Sequence, residues 1–492
     1  MRKIFEPQMK IGQVHIEDID FDLRSRDEIT QLLIGFQALS MDIKTRNQVF
    51  EILDKMIPDH IDRKNGRPGM PLWTILILGT LRLVCNWDYD KLHEIANNHI
   101  RLRMMLLHTP YDKNPFYGLQ TIKDNISLFT PEILDKINTV FAKFGQLIAG
   151  KKEDGKLYGS CDSFPGETNV HFPTDINLLF DALRKTITII MALCGFTGLK
   201  GWREGKSIIK KAKKLFMQVQ RLKRSTSKDE KKKSQRAELV KKAHLEYIEF
   251  AQSIVNRAEK FLASLPDDDL IASCKAQEIR KFIGHAERQN DQIRRRVIEG
   301  ESIPHHEKVF SIFQEHTKWI KKGKAGVPQQ LGLNICIVRD QYGFILHHIV
   351  METETDDKVA VPIILGTLER FPDFAGCSFD KGFHSPANQI KLAKILDRVV
   401  LPRKGRLSKE AREIESSPEF KEARRKHSAV ESSISALKNH GLDRCPDHGI
   451  DGFKRYIALG VLARNIQIIG RMIQEKERKR RQRSNARLQL AA

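Results

Sequence analysis

The sequence has few cysteines and no long apolar run. Its seven cysteines are scattered over 492 residues, are odd in number and include no Cys-x-x-Cys pair. This pattern argues against a disulfide framework and a structural zinc site, and it fits a reducing cytoplasm. The apolar stretch at residues 70–81 ends at Arg82 and is too short to cross a bilayer, and no signal peptide is recognisable. These absences predict a cytoplasmic protein with no membrane partner.

Acidic residues are in the minority. Lys and Arg number 84 and Asp and Glu number 62, so the formal net charge is +22. A positive field attracts polyphosphates and makes their binding salt-dependent. An ordinary basic protein has a similar composition, so the charge favours a nucleic-acid partner without establishing one. The length and a hydrophobic fraction of 40% allow several packed domains.

Three acids stand where the hydrophobic pattern predicts an ordered element. Asp162 follows a weak strand at residues 157–161, and Asp380 follows an apolar run. Glu431 lies within a helical pattern at residues 418–438. Two acids at strand ends and one on a helix suit two divalent cations, because hard cations prefer carboxylate oxygens and rigid elements hold the ions at a fixed spacing. The sequence therefore predicts a metal-dependent phosphodiester site.

The elements between these acids alternate in type. Residues 333–338 and 344–351 flank a turn and predict a β-hairpin, and residues 356–371 have helical spacing. A helix near residues 387–396 and a short strand at residues 399–401 follow the second acid. The predicted order is strand with acid, hairpin, helix, strand with acid, helix, strand, and helix with acid. This order is typical of an α/β fold.

Four other acids have structural explanations. Asp175 stands at the start of a helix, where Thr and Asp serve as N-caps, and Glu167 is expected in a loop after the first strand. Asp356 and Asp357 precede a helix and suit its dipole. Asp162 and Asp380 have no such explanation. We therefore expect the first three acids, and not these four, to form the catalytic set.

The motifs around the three acids resemble those of the DDE transposases encoded by bacterial insertion sequences, which have a ribonuclease-H-like core. In that family a segment like Glu-x-Asn-(Ile/Val)-His-(Tyr/Phe)-Pro-Thr-Asp follows the first acid, and here Asp162 is followed by Glu167-Thr-Asn-Val-His-Phe-Pro-Thr-Asp175. Asp380-Lys-Gly-Phe383 resembles the motif of the second acid. Glu431 and Lys438, seven positions apart and on one helical face, resemble the third.

The resemblance implies a DNA transposase that cuts at the ends of an insertion sequence and joins the 3′ ends to target DNA. It also implies that Asp162, Asp380 and Glu431 are the catalytic residues and the ligands of two Mg²⁺ or Mn²⁺ ions. The implied partners are DNA, as terminal inverted repeats and target, and a second copy of the chain in a homodimer on DNA. The implied location is the bacterial cytoplasm, at the nucleoid. Two alternatives stay open: a metal-dependent DNA nuclease with the same core, and a catalytically inactive, domesticated DNA-binding protein.

Six basic residues are expected to contact DNA. They are Lys438, Arg424, His427, Lys324, Lys381 and Arg67. In related families a Tyr and an Arg stand seven and four positions before the Glu and contact phosphate, and here those positions are Arg424 and His427. Arg424 is a bidentate phosphate donor, whereas His427 holds phosphate weakly unless it is protonated. Lys324 in a Gly-Lys-Ala-Gly loop matches a recurrent family element, with a structural turn as the alternative. Arg67 lies in a basic loop that either enters a minor groove or is solvated.

Composition and the resemblance together predict an α/β protein with a ribonuclease-H-like mixed sheet core, a mainly helical N-terminal domain and a helical insertion. The expected regions are residues 1–150, helical and DNA-binding; residues 151–175 and 300–474, the catalytic core; residues 176–299, the insertion; and residues 475–492, a frayed basic tail. Within the insertion, two long helical patterns predict an antiparallel hairpin with a basic tip at residues 221–236. The tip contacts DNA, clasps a second subunit or is a solvated surface.

Overall fold

The computed structural model describes two compact units. One unit comprises Met1–Asn169 and Trp319–Ala492, and the other comprises Val170–Lys318. We refer to them as the sheet unit and the helical unit. The residues that the structure describes are 2–5, 9–57, 65, 68–112, 116–199, 201–224, 229–265, 269–321, 329–405 and 407–491.

The sheet unit begins with seven helices. They are α1 (Glu28–Met41), α2 (Ile43–Asp54), α3 (Leu72–Val84), α4 (Tyr89–Asn98), α5 (Ile100–Met105), α6 (Leu119–Ile126) and α7 (Pro131–Ile148). Every residue of α3 is buried, as expected for a helix that is apolar on all faces. The sequence pattern predicts one helix from Tyr89 to Leu107. That prediction is wrong, because the chain breaks at His99, whose Nδ1 accepts a hydrogen bond from the Leu102 amide and caps α5.

In the described part of the chain, seven strands form one mixed sheet. They are β1 (Leu157–Thr168), β2 (Lys318–Lys321), β3 (Gln329–Asp340), β4 (Ile345–Met351), β5 (Phe374–Phe379), β6 (Arg398–Val400) and β7 (Arg444–Cys445). The strand order is β2-β3-β1-β5-β6, with β4 paired to β3 and β7 paired to β1. β1 runs antiparallel to β3 and parallel to β5, and β3 and β4 form the predicted hairpin. The predicted mixed α/β fold with a helical N-terminal region is therefore confirmed.

Strand β1 is longer than predicted. The sequence pattern ends the strand at Cys161, but pairing with β3 continues as far as Glu167. The described pairing with β5 stops at Cys161 and that with β7 starts at Glu167, so the intervening part of β1 is paired through β3 alone. A strand segment with one open edge tolerates Pro165, which lacks an amide hydrogen. Asp162 and Glu167 therefore lie within a strand, and the loop predicted for Glu167 is wrong.

The helical unit contains four long helices. They are α8 (Asp175–Thr197), α9 (Gly205–Lys223), α10 (Glu230–Leu262) and α11 (Leu270–Ile293), and α11 continues as a π-helical turn at Arg294–Glu299. The unit has its own apolar core, with Ile187, Val219 and Tyr247 fully buried. The two predicted long helices are α9 and α10. Part of the predicted tip, residues 225–228, lies outside the described residues.

Five further helices complete the sheet unit: α12 (Asp356–Arg370), α13 (Pro386–Ile395), α14 (Lys409–Ser416), α15 (Pro418–Leu437) and α16 (Gly449–Ala491). The part of α16 at Gly449–Ser484 is long and apolar enough to cross a membrane by length and composition, but it is mostly buried, as in a core helix. It packs against α1, α3 and α7. The frayed tail predicted from residue 475 is wrong, because the backbone stays helical to Ala491.

Candidate active site

The sheet register brings the first two predicted acids together. In the parallel pair β1 and β5, Cys161 is the partner of Phe379, and the next residues along the two strands are Asp162 and Asp380. All six residues of β5 are buried, and the exposed Asp380 follows directly after them, as predicted. Asp162 lies within β1 and not at its end. The two carboxylates therefore neighbour each other where β5 ends.

One step back along the same two strands, a polar layer connects the sheet to helix α15. Ser160 and Ser378 are register partners, and their hydroxyl oxygens are 2.9 Å apart. The Nδ1 atom of His427 on α15 lies 3.0 Å from Oγ of Ser378. The side chain of His427 therefore points at the sheet and is half-buried, whereas the sequence predicted a contact with DNA phosphate. We call Ser160, Ser378 and His427 the polar rung.

Helical and strand spacing together place the third acid. Glu431 is four residues beyond His427, about 6 Å along the helix. Asp162 and Asp380 are two residues beyond Ser160 and Ser378, about 6.6 Å along the strands. These two rises are similar, and the carboxylate of Glu431 acts on the pKa of Asp162, which places Glu431 near the aspartates.

The electrostatics agree with this placement. Burial first, and then the nearby carboxylates of Asp380, Asp356 and Glu431, raise the pKa of Asp162 to about 6. Burial lowers the pKa of His427, while Asp380 and Glu431 act to raise it. The three acids predicted from the sequence therefore interact with one another in the folded chain.

Carboxylates gathered in this way fit a divalent cation. Like charges brought together raise the pKa of one member, and a bound cation removes that penalty. Carboxylate oxygens are the ligands that Mg²⁺ and Mn²⁺ prefer. Over the residues that the structure describes, no group of three or more His, Cys, Asp or Glu side chains could hold a metal ion as they stand. The donor chemistry of the carboxylates near Asp162 fits the predicted ions.

Asp356 is an acid of this site that the sequence did not identify. It lies in the first turn of α12, where the sequence gave it only a helix-end role. Its Oδ1 accepts a hydrogen bond from Oγ of Ser163 at 2.7 Å, and the Ser163 amide donates to Oδ1 of Asp162 at 2.7 Å. A Cβ atom at Gly382 would lie 2.9 Å from Oδ2 of Asp356, so any other residue at this position would have to displace this carboxylate. Only long-range packing reveals its role, and no local sequence signal does.

The other acids that were set aside have structural partners. Glu167 accepts a hydrogen bond from Nε2 of Gln330 at 3.0 Å and pairs with Arg444 at 3.3 Å. Asp175 follows Thr174, the N-cap of α8, and pairs with Arg296 at 2.6 Å. Both residues have roles in local structure.

The basic residues predicted to contact DNA have different surroundings. Arg424 is exposed on α15, one turn before His427, and Lys381 is exposed directly after Asp380. Lys438 follows the last residue of α15, and its Nζ lies 2.9 Å from Oδ1 of Asp443. Arg67 and Lys324 lie outside the described residues.

A further cation, Lys404, lies beside the turn that follows Asp380. Its Nζ donates to the carbonyl oxygen of Gly382 at 2.6 Å, and its amide is 3.3 Å from Nδ1 of His384. The sequence gave no signal for it, because residue 404 reaches this turn only through tertiary packing.

Residues 290–466 match the family model described as a transposase DDE domain. The matched segment contains Asp380 and Glu431 and begins after Asp162. No curated protein and no solved structure matches the chain.

Proposed function

We propose that the chain, whose residues 290–466 match the model of a transposase DDE domain, cuts DNA at the ends of an insertion sequence and joins the freed 3′ ends to target DNA. The observation that supports this proposal is that Asp380 and Glu431 lie near enough to Asp162 to raise its pKa, in addition to the larger effect of burial. DNA is the substrate class that the family implies, and the positive net charge agrees with it.

The roles of the side chains follow from their positions. Asp162, Asp380 and Glu431 bind Mg²⁺ or Mn²⁺. When bound, two such ions activate the attacking oxygen and stabilise the leaving oxygen of an in-line displacement. The amide of Ser163 fixes one oxygen of Asp162, and the hydroxyl of Ser163 fixes Asp356. These hydrogen bonds hold the acids in position before substrate arrives, which lowers the cost of organising the site.

Substrate binding uses the exposed cations near the acids. Arg424 and Lys381 are exposed on the elements that carry Glu431 and Asp380, and they are suited to hold phosphates on either side of the cut. We further propose that two copies of the chain act together on paired terminal inverted repeats, and that the reaction takes place on DNA in the bacterial cytoplasm. Joining needs no outside energy source, because one phosphodiester replaces another.

The test is a joining assay. Purified protein is incubated with Mg²⁺, labelled DNA carrying the repeats that flank the gene, and a target plasmid, with Asp380→Ala as the control. We expect joined products that the control does not form. Cleavage without joining would favour the metal-dependent nuclease, and DNA binding with neither reaction would favour the inactive DNA-binding protein.

A further inference from the structure

Helix α9 of the helical unit carries a run of positive charge with no acid. Its nineteen residues include seven lysines and arginines and no Asp or Glu. Ala212, Leu215 and Val219 are buried in the unit. The opposite side presents the cations Lys206, Lys210, Lys214 and Arg221, which are all exposed. We call these four residues the α9 cationic face.

Spacing makes this face continuous and electrostatically unfavourable. Lys206, Lys210 and Lys214 recur every four residues and are neighbours on the helix surface, where like charges destabilise a helix. From Lys206 to Arg221 the face extends about 22 Å, roughly two thirds of a turn of B-DNA. Among the described residues, none of its four members forms an ion pair with an acid.

Near helix α11 of the same unit, by contrast, lysines form ion pairs with glutamates. Lys275 pairs with Glu278 at 2.8 Å, Lys185 of α8 pairs with the same glutamate at 3.3 Å, and Lys281 pairs with Glu315 at 3.1 Å. Lys185, Lys275 and Lys281 thus have acidic partners, whereas the four members of the α9 cationic face have none among the described residues. A polyanion from outside the unit would neutralise the positive charge that the α9 cationic face presents.

We propose that the α9 cationic face is a docking surface for the phosphate backbone of duplex DNA, separate from the three acids. The inference rests on the proposed function, because it assigns to the helical unit a share of the substrate. Lysine side chains on one exposed face contact phosphates without reading bases, so the surface adds affinity and not sequence preference.

A salt-dependence measurement tests this surface with two matched variants of the full chain. One is Lys206→Gln/Lys210→Gln/Lys214→Gln, and the other is Lys185→Gln/Lys275→Gln/Lys281→Gln, which removes the same charge from the same unit. Binding of a labelled random-sequence duplex is followed by fluorescence anisotropy at several NaCl concentrations, without divalent metal. Loss of three phosphate contacts should lower the slope of log affinity against log salt by about 2.7 and weaken binding on the order of 10²-fold at about 0.15 M salt. The second variant should keep the wild-type slope.

Each outcome decides the inference. Equal slopes for the two variants would overturn it, as would a change seen with duplex RNA or with anionic lipid vesicles and not with duplex DNA. The measurement needs no cleavage, so the proposed function can fail while this surface stands. If the wild type joins DNA but the variant Lys206→Gln/Lys210→Gln/Lys214→Gln keeps the wild-type slope of log affinity against log salt, the proposed function stands and the docking surface is wrong.

The polar rung supports a second, independent inference about the site. His427 was expected to hold phosphate, yet its Nδ1 lies 3.0 Å from Oγ of Ser378, which is itself 2.9 Å from Oγ of Ser160. The three acids stand one step further along the same two strands and the same helix. A helix held at His427 is therefore held in the register that brings Glu431 over the two aspartates.

We infer that His427 is a positioning residue, which fixes α15 on the sheet through Ser378 and does not hold DNA. This inference also rests on the proposed function. Removing either partner should let the helix shift, and a displacement of about 1 Å at a catalytic group costs up to about a hundredfold in rate.

A double-mutant cycle tests the positioning role. His427→Ala and Ser378→Ala should each slow strand cleavage at saturating DNA by about tenfold or more, and the double variant should be no slower than the slower single variant, because the two residues act as one unit. DNA affinity should stay within about twofold of wild type. His427→Asn, which keeps a hydrogen-bonding group near the position of Nδ1, should recover part of the rate.

The contrary result has a distinct form. If His427→Ala weakens DNA binding and lowers its salt slope while Ser378→Ala does neither, His427 contacts phosphate and the positioning role is wrong. The wild type, the two single variants and the double variant can also be compared by urea unfolding. Their free energies of unfolding give the coupling between the two side chains without any catalysis. Coupling in unfolding with no cleavage by the wild type would contradict the proposed function and leave the contact intact.

Discussion

The sheet unit and the helical unit each concentrate charge of one sign, but they do so by different means. In the sheet unit, strand register and a packed helix bring together acids that are far apart in the chain, and burial, together with these neighbouring acids, raises the pKa of Asp162 to about 6. In the helical unit, one helix presents cations four residues apart with no acid among them. Both arrangements destabilise the free protein. The comparison teaches that an uncompensated charge cluster is a sign of a missing partner: a cation for the acids, and a polyanion for α9.

The largest expected effect comes from neutralising the acids. Asp162→Asn, Asp380→Asn and Glu431→Gln should each lower the rate of strand cleavage by about 10³-fold or more, because each removes a ligand of ions that stabilise developing charge by several kcal/mol. DNA affinity should be unchanged or slightly higher, because a negative charge is lost. Cleavage rate and affinity are measured on the same labelled duplex. A variant that binds DNA more weakly and cleaves normally would show that its acid lies outside the reaction.

Stability should respond to pH at the acid cluster. The pKa of Asp162 is raised to about 6 in the fold, whereas it is about 4 in the unfolded chain. The folded protein therefore binds the proton of this carboxyl more tightly than the unfolded chain does. The stability that the bound proton gives is fully present below about pH 4 and is lost as the pH rises through about 6. Asp162→Asn should therefore unfold with a free energy up to about 3 kcal/mol higher than wild type at pH 7, and the gap should close towards pH 4. Urea unfolding in EDTA measures it.

A gap that is independent of pH would contradict this assignment. Adding Mg²⁺ at pH 7 should also narrow the difference in unfolding free energy between Asp162→Asn and the wild type. A cation bound to the folded acids stabilises the wild type and so raises its unfolding free energy.

The α9 cationic face allows the reciprocal experiment. Lys210→Glu replaces two like-charge neighbours with two i,i+4 attractions, towards Lys206 and Lys214, and should stabilise the protein by about 1 kcal/mol at low salt. The same change should weaken DNA binding. Thermal unfolding and anisotropy are compared with Lys275→Glu, which breaks an existing ion pair and should not stabilise. Absence of any gain in stability would mean that the lysines of α9 do not repel one another measurably.

The smallest expected effect is at Lys438. Its ion pair with Asp443 joins two side chains with relative exposures of 24% and 59%, and such pairs contribute about 0.5 kcal/mol. Lys438→Ala should lower the unfolding free energy by no more than that amount. If Lys438 also contacts DNA, affinity should fall several-fold, whereas Asp443→Ala should leave affinity unchanged or raise it. Equal affinities for all three proteins would restrict Lys438 to its structural pair.

Much of the sheet unit could be predicted from local sequence. The apolar run before Asp380 is a fully buried strand, and the β3-β4 hairpin and α15 appear where their spacing indicates. Strand β1 was cut short because Pro165 and Gly166 are typical of turns, and only its pairing with β3 keeps them extended. The break at His99 was missed for a related reason, since a histidine N-cap gives little local signal.

The chemistry of the site could be predicted only in part. The three acids were recognised because each follows or lies on a well-patterned element. Asp356 was set aside because its position at a helix start gives a sufficient local reason to be acidic, and its contact with Ser163 depends on how α12 packs. The inward orientation of His427 depends on the register of α15 against β5. Sequence spacing identifies the face of a helix but not what that face meets.

The most direct test of the central claim is a change of metal preference at Asp380. Asp380→Cys replaces a hard carboxylate with a softer thiolate, which binds Mn²⁺ better than Mg²⁺. In the joining assay we predict that this variant is inactive with Mg²⁺ and partly active with Mn²⁺, while Asp380→Ala is inactive with both. Joining by Asp380→Ala at the wild-type rate in Mg²⁺, or equal rates for the cysteine variant with the two metals, would contradict the claim that these acids hold the ions that cut and join DNA.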